Sequence, residues 1–86
     1  RITQRSIRRI ELAVINEAIN NPRSQKCGEL PRPYEDVRAF WGHFNVVVGA
    51  CNGQETRYVY VQYNQDGSVH GRPMTYELLL TKGMSP

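Results

Sequence analysis

Eighty-six residues, 40% of them hydrophobic, suffice for one domain with a single modest core and are too few for two. That apolar content, with five tyrosines, excludes a disordered segment, and no apolar run approaches the roughly 20 residues that span a bilayer. The net charge of +3 is a mild basic bias, but eight of the eleven basic residues fall in the first forty positions, so the charge is concentrated at one end.

The first element in chain order is a basic arm at 1–5 that runs into a helix predicted over 4–20. Thr3 or Ser6 is its cap and Asn20-Asn21-Pro22 its stop. Ile7, Ile10, Val14 and Ala18 make one stripe at helical spacing, and Leu12, Ile15 and Ile19 a second. Arg8 and Glu11 lie between the stripes at pairing distance i,i+3. Two stripes predict a helix that crosses a sheet and touches one further element. Arg1, Arg5, Arg8 and Arg9 all precede the first acid, Glu11, although arginines in a first helical turn oppose the helix dipole. Such an arm suits phosphate or an acidic protein partner. The start at arginine and the missing apolar leader core point to a processed form or an excised domain, with a second processed chain as one expected partner.

Residues 22–33 carry Pro22, Gly28, Pro31 and Pro33 and are expected to form a structured loop. Cys27 in this loop and Cys51 further on are expected to form a disulfide. It would close a loop of about 25 residues and contribute on the order of 3 kcal/mol. Such a bridge belongs in a small secreted domain or one delivered to a target cell. Tyr34 to Trp41 reads as a short second helix, with Pro33 at its first turn and Glu35 and Asp36 at its positive end.

A hairpin follows from Phe44 to Tyr63. Asn52-Gly53 supplies the positive φ angles of a type I′ turn, which pairs Cys51 with Gln54. Continued without interruption, that register pairs Val47 with Tyr58, Asn45 with Tyr60 and His43 with Gln62. One face then holds Phe44, Val46, Val48, Ala50, Val59, Val61 and Tyr63 as core. The other holds His43, Asn45, Tyr58, Tyr60 and Gln62. After a turn at Asn64-Gln65-Asp66-Gly67, Gly71 and Pro73 are expected to interrupt residues 68–73 as a bulge or wide loop. Met74 to Lys82 reads as a further strand, and 83–86 as a frayed tail. The fold class is therefore α+β, one domain over 1–86. Its N-terminal helix packs on one face of an antiparallel meander of three to four strands, and the opposite face stays open.

The ionisable groups able to reach that open face are His43, His70, Arg57, Arg72, Glu77 and Lys82. Imidazoles titrate near neutrality, so His43 and His70 suit the two proton transfers of metal-free ribose phosphodiester cleavage. Lys82 or Arg72 would hold the phosphate and steady the phosphorane, and Tyr58 or Tyr60 would stack a base, with Asn45 beside them. No cofactor is expected, because two cysteines and two histidines so widely spaced do not make a zinc site. Phosphate-loop, Gly-x-Ser-x-Gly and His-Glu-x-x-His motifs are all missing.

This order, helix then meander, is similar to that of the barnase, RelE and EndoU group of ribonucleases, which includes RNA-cleaving toxin domains. The resemblance lies in element order across most of the chain, not in a motif, and implies a small toxin-like ribonuclease acting on RNA and held by an immunity protein. One helix across an antiparallel sheet also resembles the cystatin-like arrangement. That implies a non-enzymatic secreted binding module using the 22–33 loop and the Asn52-Gly53 tip, although the chain has no Gln-x-Val-x-Gly loop.

Overall fold

Helix α1 (Gln4–Asn20) forms where the apolar spacing places it and ends as Asn21 N–H donates to the Glu17 carbonyl ahead of Pro22. The computed structural model describes residues 4–85, so Arg1, Ile2 and Thr3 of the basic arm lie outside the described residues. Ser6 is inside the helix rather than at its cap. Val14, Ile15 and Ala18 are buried, whereas Leu12 and Ile19 remain 47% exposed, so much of the second stripe faces solvent. Glu11 is buried between them. Its carboxylate accepts from the Gly71 N–H across the molecule and lies 3.8 Å from Arg8.

The next elements are β1 (Cys27–Tyr34), β2 (Val37–His43), β3 (Gly49–Cys51), β4 (Gln54–Thr56), β5 (Tyr58–Tyr63), β6 (Val69–Pro73) and α2 (Tyr76–Thr81). Four strands form an antiparallel sheet in the order β1-β2-β5-β6, and β3-β4 is a separate two-stranded hairpin inserted between β2 and β5. This is the expected α+β class with three corrections to its elements.

The expected loop holds at 22–26, but residues 27–33 and the expected helix at 34–41 are instead a strand pair turning at Glu35-Asp36. β1 is an edge strand, and Pro31 and Pro33 fall in the stretch between Leu30 and Tyr34 where its register shifts. Glu29 and Arg38 lock the pair by a bidentate contact of 2.8 and 2.9 Å. The Arg38 hydrogen bond holds the Glu29 carboxyl below its ordinary range. A lowered folded-state pKa contributes stability above the unfolded value, and that contribution is lost as pH falls through the lowered one. Both side chains are more than a third exposed, so the effect is small. Urea midpoints of wild type and Glu29→Gln are expected to differ at neutral pH and to converge on acidification.

The hairpin correction concerns register. Asn52 and Gly53 take φ of 53° and 80°, as the turn requires, and Cys51 pairs with Gln54. The ladder stops after Gly49–Thr56, however, and resumes with His43 opposite Tyr58, not Gln62. Residues 44–48 leave the sheet as a loop, which exposes Val46 and Val47 and buries Val48. Of the expected core face, Val48, Val59 and Val61 are buried and Phe44 packs against them.

The third correction is at the C-terminal end. Residues 69–73 pair with β5 as an edge strand despite Gly71 and Pro73, and the expected strand at 74–82 is a helix. The Thr75 side chain caps α2 by accepting from Leu78 N–H. At the other end Gly83 adopts φ 103°, its N–H donates to Leu80, and Met84 N–H donates to Leu79, which is a Schellman closure. Met84 is thereby buried against the sheet, so the expected frayed tail is fixed at least that far.

The sheet is covered on both faces. Below it, α1 packs on Cys27, Phe40, Val59 and Val61, and Gly42 lies so close to Val14 that a Cβ would fall 2.6 Å from it. Above it, Met74, Leu79 and Met84 pack on Leu30, Ala39 and Tyr60. The expected disulfide is absent. Cys27 is a free thiol buried under α1, and Cys51 is a free thiol on the separate β3-β4 hairpin. Burial raises the Cys27 pKa, which further slows its reaction. Native alkylation is expected to label Cys51 alone, with Cys27 labelled only after unfolding, which intact mass will show.

Candidate functional site

The open face survives at two places, one on each flank of α2. Along a helix each residue turns the direction by about 100°, which puts Tyr76 and Lys82 about 60° to either side of the buried Leu79. Tyr76 thus looks towards His43, and Lys82 away from it.

On the first flank His43, the last residue of β2, stacks on its cross-strand partner Tyr58 with centroids 4.4 Å apart and planes 20° from parallel. Tyr76 leans on the other side of the group, 5.5 Å from the Tyr58 ring. His43 is anchored through its backbone, its N–H donating to the Lys26 carbonyl at 2.7 Å. Thr56 ties α2 to this corner. Its buried hydroxyl donates to the Met74 carbonyl at 2.9 Å and accepts from Tyr58 N–H at 3.1 Å.

His43 borders three depressions. One of about 240 Å³ is lined by His43, Arg57, Tyr58 and Tyr76 together with the carboxylates Glu55 and Glu77. A cleft of about 420 Å³ runs between Trp41, His43, Tyr58, Tyr76 and Met84. A third, of about 300 Å³, lies towards α1 and is lined by Glu17, Lys26, His43, Phe44 and Asn45. The Arg57 guanidinium donates to the Asn45 carbonyl at 3.0 Å, which leaves further donors free. An imidazole, a carboxylate and a guanidinium around one small depression can donate a proton, accept one and stabilise an anion between them.

On the second flank Arg72 and Lys82 both sit over the Tyr60 ring, at 5.8 and 5.9 Å from its centroid. Tyr60 is only 5% exposed and its hydroxyl pKa is raised by burial, so it carries cations instead of offering a stacking surface. His70 is exposed on β6 opposite Gln62, two residues from Arg72. It shares the face with His43. Four residues of strand and two strand spacings put their Cα atoms about 16 Å apart, so the two imidazoles do not meet across one phosphodiester.

The sequence candidates therefore divide. His43, Tyr58, Arg57 and Glu77 gather on the first flank, Arg72, Lys82, Tyr60 and His70 on the second, while Asn45, in the loop at 44–48 instead of opposite Tyr60, lines the depression towards α1. Tyr76, Trp41 and Glu55 are site-lining residues that the sequence reading assigned elsewhere or passed over. Thr75 was the available signal, since its capping role turns Tyr76 and Glu77 into helix residues. Among the described residues no group of three or more His, Cys, Asp or Glu side chains is placed to hold a metal ion, and no helix is long and apolar enough to cross a membrane. No protein family model, curated protein or solved structure matches the chain.

Proposed function

We propose that this domain cleaves single-stranded RNA by metal-independent acid–base chemistry at the His43 depression. One observation carries the reading: an imidazole, a carboxylate and a guanidinium (His43, Glu77 and Arg57) line one depression walled by Tyr58 and Tyr76. Glu77 takes the proton from a ribose 2′-OH, and the oxygen attacks the adjacent phosphorus. His43, as general acid, gives a proton to the departing 5′-oxygen, and Arg57 faces the charge that builds on the phosphorane. The products are a 2′,3′-cyclic phosphate and a free 5′-OH. Trp41 and Tyr76 border a cleft wide enough for a base to stack beside the reacting ribose. A domain with this activity fits a toxin that is secreted or delivered to a target cell, with an acidic immunity protein as its partner.

The test is incubation of the folded protein with mixed single-stranded RNA in EDTA, with analysis of the new ends. Cleavage that leaves cyclic phosphate, and that stops when the RNA is 2′-O-methylated, is the expected result. Intact RNA, or cleavage indifferent to the 2′-OH, would overturn the reading. The protein-binding alternative draws on Val46 and Val47, exposed side by side in the loop before β3, and takes over if the folded protein leaves RNA intact.

A further inference from the structure

Three features lie outside the His43 depression. The cavity under α1 beside Glu11 is only about 50 Å³, and its one carboxylate is already engaged by Gly71. The exposed Leu12 and Ile19 are isolated apolar positions on α1 with nothing to define an occupant. The Arg72–Lys82 pair is different. Two cations from separate elements, β6 and the end of α2, converge on the same ring, and among the described residues neither forms a salt bridge. Two cations on one buried ring, with no carboxylate paired to either among the described residues, offer an anion charge-assisted hydrogen bonds from both.

We infer that Arg72 and Lys82 form a second phosphate subsite, which holds a flanking phosphate of the same RNA strand on the far side of α2 from the reacting one. The inference rests on the RNA reading of the His43 depression and extends it to the substrate: a strand of several nucleotides, not a dinucleotide. Register supports the spacing. Arg72 faces Tyr60 while His43 faces Tyr58, so two residues of strand and two strand spacings separate them, about 12 Å between Cα atoms. With the Arg72 guanidinium held over Tyr60, that spacing suits a neighbouring phosphate on an extended strand. His70 lies two residues along the same strand face, next in line after Arg72.

The experiment measures binding separately from cleavage. A fluorescent 2′-O-methyl oligonucleotide, which binds without being cut, is titrated with wild type, Arg72→Gln, Lys82→Gln and the double variant across a salt series. Arg23→Gln, in the exposed turn after α1, is the control for overall charge. Each subsite variant is expected to weaken binding and to flatten the plot of log K against log salt by about 0.7 per cation, while the control stays near wild type. Replacing one flanking phosphate by methylphosphonate should weaken wild type and leave the double variant unaffected. In cleavage of unmodified RNA the double variant is expected to raise KM with kcat unchanged. If affinity and salt slope match those of the control, the subsite is overturned and the His43 reading stands. If the binding effects appear in a protein that cuts no RNA, the subsite stands and the catalytic reading falls. A wild type that does not bind the oligonucleotide overturns the subsite outright.

Discussion

His43→Ala is expected to lower kcat for RNA cleavage by about 10²–10⁴-fold, the range a single positioned proton donor contributes. Glu77→Gln is expected to fall in the same range, because the amide keeps the shape of the carboxylate and cannot accept the 2′-OH proton. Glu55 lines the same depression from β4, so Glu55→Gln tests the assignment: it should keep most of the activity, and a loss there equal to that of Glu77→Gln would move the base to β4. A second control separates chemistry from structure. The His43–Tyr58 stack is worth about 0.5–1.5 kcal/mol, so alanine removes packing along with the imidazole. His43→Phe keeps a ring on Tyr58 and has no proton to give. If His43→Phe unfolds like wild type and is as inactive as alanine, the proton is what His43 contributes. Activity retained by His43→Phe would remove it from the mechanism.

Local patterns in the sequence found what local physics determines. The helix over 4–20 follows from apolar spacing and a proline stop, and the turn at Asn52-Gly53 from its need for positive φ. Those patterns also grouped His43, Tyr58, Tyr60 and Gln62 on one face, because parity survives a register error of even length. The Asn52-Gly53 turn does set the register of β3 with β4, yet the ladder from β2 to β5 differs from it by four residues. The loop at 44–48 absorbs that difference, and nothing in a period-two pattern of valines announces where a strand leaves the sheet.

The C-terminal misreading has a different origin. Tyr76, Leu78 and Leu80 alternate as a strand would, and Leu78-Leu79-Leu80 equally suits a short helix, so hydrophobic pattern alone was ambiguous. The end signals decide it. Thr75 caps one end, and Gly83 with Met84 closes the other. Similarly, Pro31 and Pro33 argued against a strand at 27–34, but an edge strand tolerates both. The site inherits these errors. Calling α2 a strand left the face fully open, with Tyr60 accessible and the histidines free to meet. The helix instead buries Tyr60 and divides the face into two flanks.

That division makes Leu79→Ala a substitution expected to disturb both flanks from outside the depression itself. Leu79 is fully buried and holds α2 onto Ala39 and Tyr60. Truncating it is expected to cost about 2–5 kcal/mol. A domain of this length is held by roughly 4–13 kcal/mol in all. Denaturant unfolding should register the whole loss, with Leu12→Ala on the exposed side of α1 as a near-neutral comparison. The functional consequence follows from what α2 carries. Tyr76 and Glu77 wall the His43 depression, while Lys82 completes the pair over Tyr60, so a loosened α2 weakens both flanks together. If Leu79→Ala is too unstable to assay, Thr75→Ala removes only the cap, at about 1 kcal/mol, and loosens the same helix by its first turn. Its expected signature is a fall in kcat through Glu77 with less change in the salt dependence of binding, because Lys82 sits at the Schellman-closed end. A Thr75→Ala protein with weakened phosphate binding and normal kcat would show that α2 positions Glu77 by some other contact.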